Sequence, residues 1–310
     1  MLFLGIGLAL AAAVLAISYL CYRIAFFVPK KVIYGPEDFP IPDGQIYEPH
    51  REQMIAWMKE IRALPYREFT IESFDGLSLY GKFYELSPQA PIELMFHGYR
   101  GSAERDLCGG VQRAFAVGHS ALIVDQRGAG HSGGNVITFG VNESKDCLRW
   151  TKFAAETFPE RKLILTGISM GATTVLMAAG QPLPENVAGV LADCGYTTGK
   201  AIIQKVIRQM RLPPRLAYPF VWLGAYLFGR FNLSQADAIS AMKRCAVPVI
   251  LAHGDTDDFV PCYMSRENYD ACQAKKALVI IPGAGHGLCY LQDPQGYISQ
   301  LNAFFRSIDA

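Results

Sequence analysis

Gly167-Ile168-Ser169-Met170-Gly171 follows a strand-like run that ends at Thr166 and precedes the small-residue, helix-prone stretch Ala172 to Gly180. A serine therefore sits at a strand-to-helix corner, the local pattern of a nucleophile elbow. The flanking glycines suit so sharp a turn, because neighbours without side chains permit both a strained backbone and a close approach of strand and helix. Two further segments lie downstream: His253-Gly254-Asp255-Thr256-Asp257-Asp258-Phe259-Val260-Pro261, and Gly283-Ala284-Gly285-His286-Gly287. The order is serine, then aspartate, then histidine.

Short apolar runs alternate with helix-length segments around this core. Phe69 to Ser73 and Leu77 to Leu86 flank Asp75-Gly76, a hairpin signal. Buried strands are then expected at Glu93 to Phe96, Ala121 to Val124, Leu163 to Thr166, Val187 to Ala192, Val249 to Ala252 and Leu278 to Ile281, with crossover helices between them. Between Tyr196 and Ala246 the alternation breaks, and this predicts a helical cap over about residues 197–246. Within it Ala201 to Met210 has helical amphipathic spacing and ends at Pro213-Pro214, while Phe220 to Phe228 is apolar on all faces.

From about Phe69 to the C-terminus the chain resembles the α/β-hydrolases, in particular the serine-hydrolase group often labelled serine aminopeptidase-like or esterase-like, here with an added N-terminal membrane anchor. His97-Gly98-Tyr99, the turn Asp125 to Gly133, the serine elbow and the Asp257/His286 pair carry the resemblance. It implies a mostly parallel central sheet flanked by helices, with Ser169 as nucleophile, His286 as general base and then acid, and Asp257, in an Asp-x-x-Val-Pro pattern, orienting the histidine. Asp193, after the preceding strand, is the alternative acid. Met170 N–H and Tyr99 N–H are the expected oxyanion donors. Asp125 and Arg127 are read as organising their loop, and His97 and His253 as hydrogen-bonding theirs.

Leu2 to Tyr22 carries no charge, and about 20 such residues at roughly 1.5 Å each span a hydrocarbon layer roughly 30 Å thick. No Lys or Arg precedes the run and no small-x-small site follows it, so a transmembrane anchor over residues 1–23 is expected rather than a cleaved signal peptide. Arg23, Lys30 and Lys31 follow the helix, which by the positive-inside rule puts the rest of the chain in the cytoplasm. Residues 24–66 read as linker plus a docking helix, and 67–310 as the hydrolase domain.

With 310 residues, 51% of them hydrophobic, and a net charge of +1, the chain can bury one large core and offers no basic footprint for nucleic acid. Its eight cysteines show no C-x-x-C or zinc spacing. Cys194 is read as lying in a strand and Cys147 as lying on a helix. No metal or cofactor is implied, and a serine at the elbow argues against the aspartate chemistry of dehalogenases and epoxide hydrolases. The expected activity is hydrolysis of a small-molecule or lipid-like acyl ester. The rivals are a peptidase or aminopeptidase, an acyltransferase or thioesterase with the same triad, and a silent scaffold.

Overall fold

Five strand segments of this chain are apolar without alternation, and such runs are stable only when both faces of the sheet are covered. The structure, a computed structural model that describes residues 2–309, places them at the centre of an eight-stranded sheet. In chain order the elements are α1 (Leu2–Ala25), α2 (Arg51–Ala63), β1 (Arg67–Glu72), β2 (Ser78–Tyr84), β3 (Ile92–Phe96), α3 (Ala103–Ala116), β4 (Ser120–Val124), α4 (Glu143–Thr157), β5 (Leu163–Ile168) and α5 (Met170–Ala179). They continue with β6 (Val187–Asp193), α6 (Gly199–Gln209), α7 (Pro214–Leu227), α8 (Ala238–Met242), β7 (Val249–Gly254), α9 (Tyr263–Ala271), β8 (Lys276–Ile281), α10 (Cys289–Gln292) and α11 (Pro294–Ser307).

The strand order is β1-β2-β4-β3-β5-β6-β7-β8. β2 pairs antiparallel with β1 and β4, and every other neighbouring pair is parallel. Side chains alternate between two helical layers. Leu94, Phe96, Leu122 and Leu165 pack with residues of α4, α5 and α8 on one face. Met95 and Ile123 meet α2 and α3 on the other, where Ile164, Leu191 and Ile250 lie under α11. The chain has the α/β-hydrolase fold.

Close approach sets the positions of the elbow glycines. A methyl at Gly171 would stand 2.0 Å from the Phe96 carbonyl oxygen, and one at Gly167 would stand 2.2 Å from the Gly171 carbonyl. Helix α5 therefore seats directly on the end of β3, which brings the loop after β3 beside the serine. Gly254, at the end of β7, has the same function in the next loop: a methyl there would meet the Ala284 carbonyl at 2.1 Å.

α6, α7 and α8 fill the stretch between β6 and β7. α6 begins two residues before the expected start because Thr198 caps it, its hydroxyl accepting from Ala201 N at 3.0 Å. Cys194 requires a correction: it lies one residue past β6, with φ of 49°, in the left-handed region that strands do not use. α2 lays Met54, Met58 and Ile61 against α3. α1 runs to Ala25 and packs on α7 in its last third, where Ser18 and Tyr22 are buried, as is Phe26 just beyond the helix. Its residues from Phe3 to Ile17 are exposed.

Candidate active site

Ser169 is the residue between β5 and α5, and its φ of 57° and ψ of −119° hold it outside the regions that L-residues favour. Such a conformation costs about 1–3 kcal/mol, borne here by the surrounding sheet and helix. Its N–H donates to the Asp193 carbonyl at 2.8 Å, which pins the corner to β6. Ser169 Oγ lies 2.9 Å from His286 Nε2, and His286 Nδ1 lies 2.6 Å from Asp257 Oδ2. Because the carboxylate only accepts, Nδ1 carries the proton and Nε2 is left to accept from the serine hydroxyl.

Two loops are stitched together to produce that spacing. The Thr256 hydroxyl donates to the Ala284 carbonyl at 2.8 Å, and Gly283 N–H donates to Asp255 Oδ1 at 2.7 Å. The Tyr47 hydroxyl donates to the His286 carbonyl at 3.1 Å, so the chain before α2 also braces the histidine loop.

Asp257 Oδ1 accepts from the N–H groups of Phe259 and Val260 at 2.9 and 2.8 Å, which leaves Oδ2 for the imidazoles. Burial alone would raise this carboxyl, but hydrogen bonds from His253 and His286 outweigh it and hold the group down at about 2. His253 does more than tie down its own loop. Its Nε2 sits 2.8 Å from the Val260 carbonyl and 3.2 Å from Asp257 Oδ2, and both are acceptors, so Nε2 bears the proton; Nδ1 lies 2.6 Å from the Ser265 hydroxyl. The four-residue spacing of His253 and Asp257 beyond a strand was the available sequence signal for this support.

Asp193 is differently engaged. Tyr297 donates to its Oδ2 at 2.9 Å and Cys289 to its Oδ1 at 3.3 Å. Of the other histidines, His97 accepts from Gln126 N–H at Nε2 (3.0 Å) and faces its neighbour's carbonyl, Gly98 O, through Nδ1 (2.8 Å). Asp125 accepts from the N–H groups of Ala103 and His131, while Arg127 pairs with Asp146 and Asp75.

The loop after β3 lies over the serine: a methyl on Gly98 would stand 3.5 Å from Ser169 Cβ. Gly98 N–H is taken by Asp106 Oδ2 at 3.1 Å. The next amide in that loop belongs to Tyr99, and Met170 N–H opens α5; neither donates a hydrogen bond among the described residues. Free N–H groups at a helix start beside a hydroxyl are the elements of an oxyanion site.

Cys194, Asp257 and His286 bring three metal-ligand atoms within 4.8 Å of one another. Burial pushes the Cys194 thiol well above its ordinary value, and the other two atoms are already bonded to each other, so the thiol serves as packing against the pair. Two cavities flank the elbow. The first, of about 80 Å³, is walled by Met54, Trp57, Ile168, Gly287 and Tyr290. The second, of about 230 Å³, reaches Met170 and is edged by Lys30, Lys31, Arg100 and Arg127, with no carboxylate among its described walls.

Residues 94–221 match the sequence profile of the α/β-hydrolase fold family. The chain is 24% identical over 310 residues to the protein YqkD of Bacillus subtilis, covering 99% of this chain and 97% of that one. It is also 24% identical over 210 residues to the lysophosphatidylserine lipase ABHD12 of Danio rerio, covering 64% of this chain and 52% of that protein. Among solved structures, the Pyrococcus furiosus esterase Pf2001 superposes with a TM-score of 0.65 at 19% identity, over 91% of this chain and 100% of that one. Sheet topology, profile and structural neighbours agree on the α/β-hydrolase fold, preceded by an apolar N-terminal helix.

Proposed function

We propose that the protein is a serine hydrolase that cleaves carboxylic esters through an acyl-enzyme on Ser169. The fold and its neighbours support a hydrolase, and the observation that carries the finer reading is the relay from Ser169 Oγ to His286 to Asp257, at 2.9 and 2.6 Å. In this scheme Ser169 Oγ attacks the ester carbonyl while His286 Nε2 takes its proton, and the new oxyanion lies between the amides of Met170 and Tyr99. His286 then protonates the leaving alkoxide, and water repeats the cycle to release the acid. Asp257, ionised across the neutral range, stabilises the imidazolium.

The surroundings favour a lipid-like ester over a peptide with a free amine. Phe139, Tyr196, Ile202, Val221 and Phe231 join Met170 in one apolar cluster under the cap. An α-ammonium needs a carboxylate in a partly dry pocket. Asp237, the one acidic residue between Thr197 and Cys245, is spent capping α8 through Ser240, and Glu104 is paired with Arg62 and Lys82. Lys30, Lys31 and Arg100 at the cavity beside Met170 disfavour an ammonium further, and the carboxylates lining the other cavity, Asp106 and Asp193, are engaged by Arg105 and Gly98 N–H and by Tyr297 and Cys289. The lysophosphatidylserine named for the zebrafish relative is a lipid ester of the kind this surface suits. p-Nitrophenyl esters of short to medium chain, assayed beside aminoacyl-anilides, are expected to turn over much faster than any anilide. A preference for anilides with a free amine would transfer the assignment to a peptidase.

The same reading places the enzyme on a membrane. Phe3–Ala25 is long and apolar enough to cross one, with a mean hydropathy of 2.3. Phe3 to Ile17 is exposed along its length and covers roughly 22 Å at about 1.5 Å per residue, most of a hydrocarbon layer. Arg23, Lys30 and Lys31 put the hydrolase domain on the cytoplasmic side. The protein is expected to sediment with membranes, resist alkaline carbonate and survive protease added to intact cells. A mature N-terminus beyond Ala25, or release by carbonate, would identify a signal sequence instead.

A further inference from the structure

The last carbonyls of any helix lack intrahelical partners and carry the negative end of its dipole. At the end of α1 the Tyr22 carbonyl accepts from Phe26 N–H and Phe27 N–H, and Phe26 O accepts from Ile137 N–H at 2.8 Å. The Ile24 and Ala25 carbonyls are met from elsewhere. The Tyr99 hydroxyl donates to Ala25 O at 2.8 Å, and Arg100 Nη2 donates to Ile24 O at 2.7 Å and to Phe27 O at 3.3 Å. Both donors belong to the loop after β3 that lies over Ser169.

α1 is firmly seated where this happens. Phe26 is fully buried, with its ring edge-on to Phe139 at 5.6 Å and to Phe231 at 5.2 Å. A methyl on Gly224 of α7 would stand 2.3 Å from the Ser18 carbonyl, so helix backbones nearly touch there. The tail beyond α1 is held at Val28, whose N–H donates to Asn135 O at 2.8 Å. The loop on the other side is under tension: Arg100 is left-handed, at φ 53°. Burial pushes the Tyr99 phenol above its ordinary value, so it remains a protonated donor.

We propose that the last turn of α1 belongs to the oxyanion side of the site: the carbonyls of Ile24 and Ala25 grip the Arg100 guanidinium and the Tyr99 phenol, and that grip aims the Tyr99 N–H at the reacting oxygen. The inference rests on the serine-hydrolase reading. Tyr99 is held at both ends. Its ring packs 5.3 Å from Phe139, its hydroxyl is fixed to α1, and Asp106 fixes the amide just before it through Gly98 N–H. The peptide that carries the Tyr99 N–H is also held through its Gly98 carbonyl, by Gly101 N–H at 3.2 Å and His97 Nδ1 at 2.8 Å, so losing the phenol contact loosens this plane without freeing it. The helix that reads as an anchor is thereby coupled to transition-state stabilisation, and the Tyr99 hydroxyl and Arg100 are positioning groups.

The test uses the full chain in detergent micelles, with Tyr99→Phe, Arg100→Gln and Arg100→Lys compared with wild type. Three quantities are read: kcat and KM on a p-nitrophenyl ester, affinity for a trifluoromethyl ketone, and amide hydrogen exchange over residues 97–101. In the ketone complex Ser169 Oγ adds to the carbonyl carbon, its proton passes to His286 Nε2 and the carbonyl electron pair becomes the oxyanion. Removing a whole oxyanion donor costs about 10²–10³ in kcat, so loosening one is expected to cost about tenfold. Tyr99→Phe and Arg100→Gln should lower kcat and ketone affinity by the same factor, leave KM within about twofold, and speed exchange in the loop. Arg100→Lys, which keeps a donor, should recover most of both.

A purely structural cap would lower the melting temperature while leaving kcat and ketone affinity alone, and that outcome overturns the proposal. Unchanged exchange in Tyr99→Phe overturns the mechanical link. Wild-type protein that takes no fluorophosphonate at Ser169 sinks the serine-hydrolase reading and the catalytic half of this proposal with it, while the exchange measurement still decides whether α1 holds the loop.

Discussion

Ser169→Ala is expected to abolish ester hydrolysis and fluorophosphonate labelling together, with a fall in kcat of roughly 10⁶-fold, the scale seen when the nucleophile of a triad is removed. The His286 Nε2 lone pair would then face a methyl group, and no other hydroxyl among the described residues is hydrogen-bonded to that nitrogen. The fold should survive, because the Ser169 side chain accepts no capping hydrogen bond from α5. Ser169→Gly should be equally inactive and of equal or greater stability. Its backbone sits at φ 57°, ψ −119°, where an L-residue is strained and glycine is not. The relief is partly offset by the greater freedom of glycine in the unfolded chain. Labelling retained in a folded Ser169→Ala protein would remove Ser169 from the chemistry.

The elbow was legible because its cause is local. Gly167 and Gly171 sit within two residues of Ser169, and the apolar run before them and the helix-forming run after them follow directly in sequence. The structure refines the reason for the glycines: the backbone strain falls on Ser169 itself, while Gly171 is demanded by the approach of α5 to β3 and Gly167 by the fold-back of the start of α5 onto the end of β5. The central strands were legible for a similar reason, since unbroken apolar runs such as Leu163–Ile168 have few stable homes other than a sheet covered on both faces. The hairpin at Asp75-Gly76 was marked by the one residue able to take its φ of 83° cheaply.

What the sequence hid depends on contacts between distant segments. Nothing in the periodicity of Leu2–Ala25 distinguishes its exposed first two-thirds from a last turn that receives Tyr99 and Arg100 from more than seventy residues away. Tyr47 lies in an irregular stretch with no motif around it, yet it braces His286 across 239 residues. Composition says nothing of which aspartate meets His286, and the Asp-x-x-Val-Pro pattern favours Asp257 only through a resemblance. Asp193 ends β6 and Asp257 lies beyond β7, and their partners in space differ: Tyr297 and Cys289 for the former, two imidazoles for the latter.

That difference makes Asp257→Asn the second large effect expected, a fall in kcat of roughly 10⁴-fold with little change in KM. The N–H groups of Phe259 and Val260 would keep the asparagine carbonyl oxygen in the place of Oδ1, at 2.9 and 2.8 Å. The amide nitrogen then occupies the place of Oδ2, where it is a donor facing His286 Nδ1. The imidazole can satisfy it only by moving its own proton to Nε2, which leaves no lone pair to accept from Ser169. The same nitrogen also confronts the proton of His253 Nε2, so the loop should loosen and stability should fall as well. Asp193→Asn provides the contrast, since its carboxylate is engaged by Tyr297 and Cys289 rather than by His286, and its cost should appear in stability rather than in kcat. Steady-state kinetics of the two variants on one p-nitrophenyl ester, with melting temperatures alongside, separate these expectations. A near-normal kcat in Asp257→Asn together with a collapse in Asp193→Asn would move the acid to the end of β6 and overturn the triad assigned to this site.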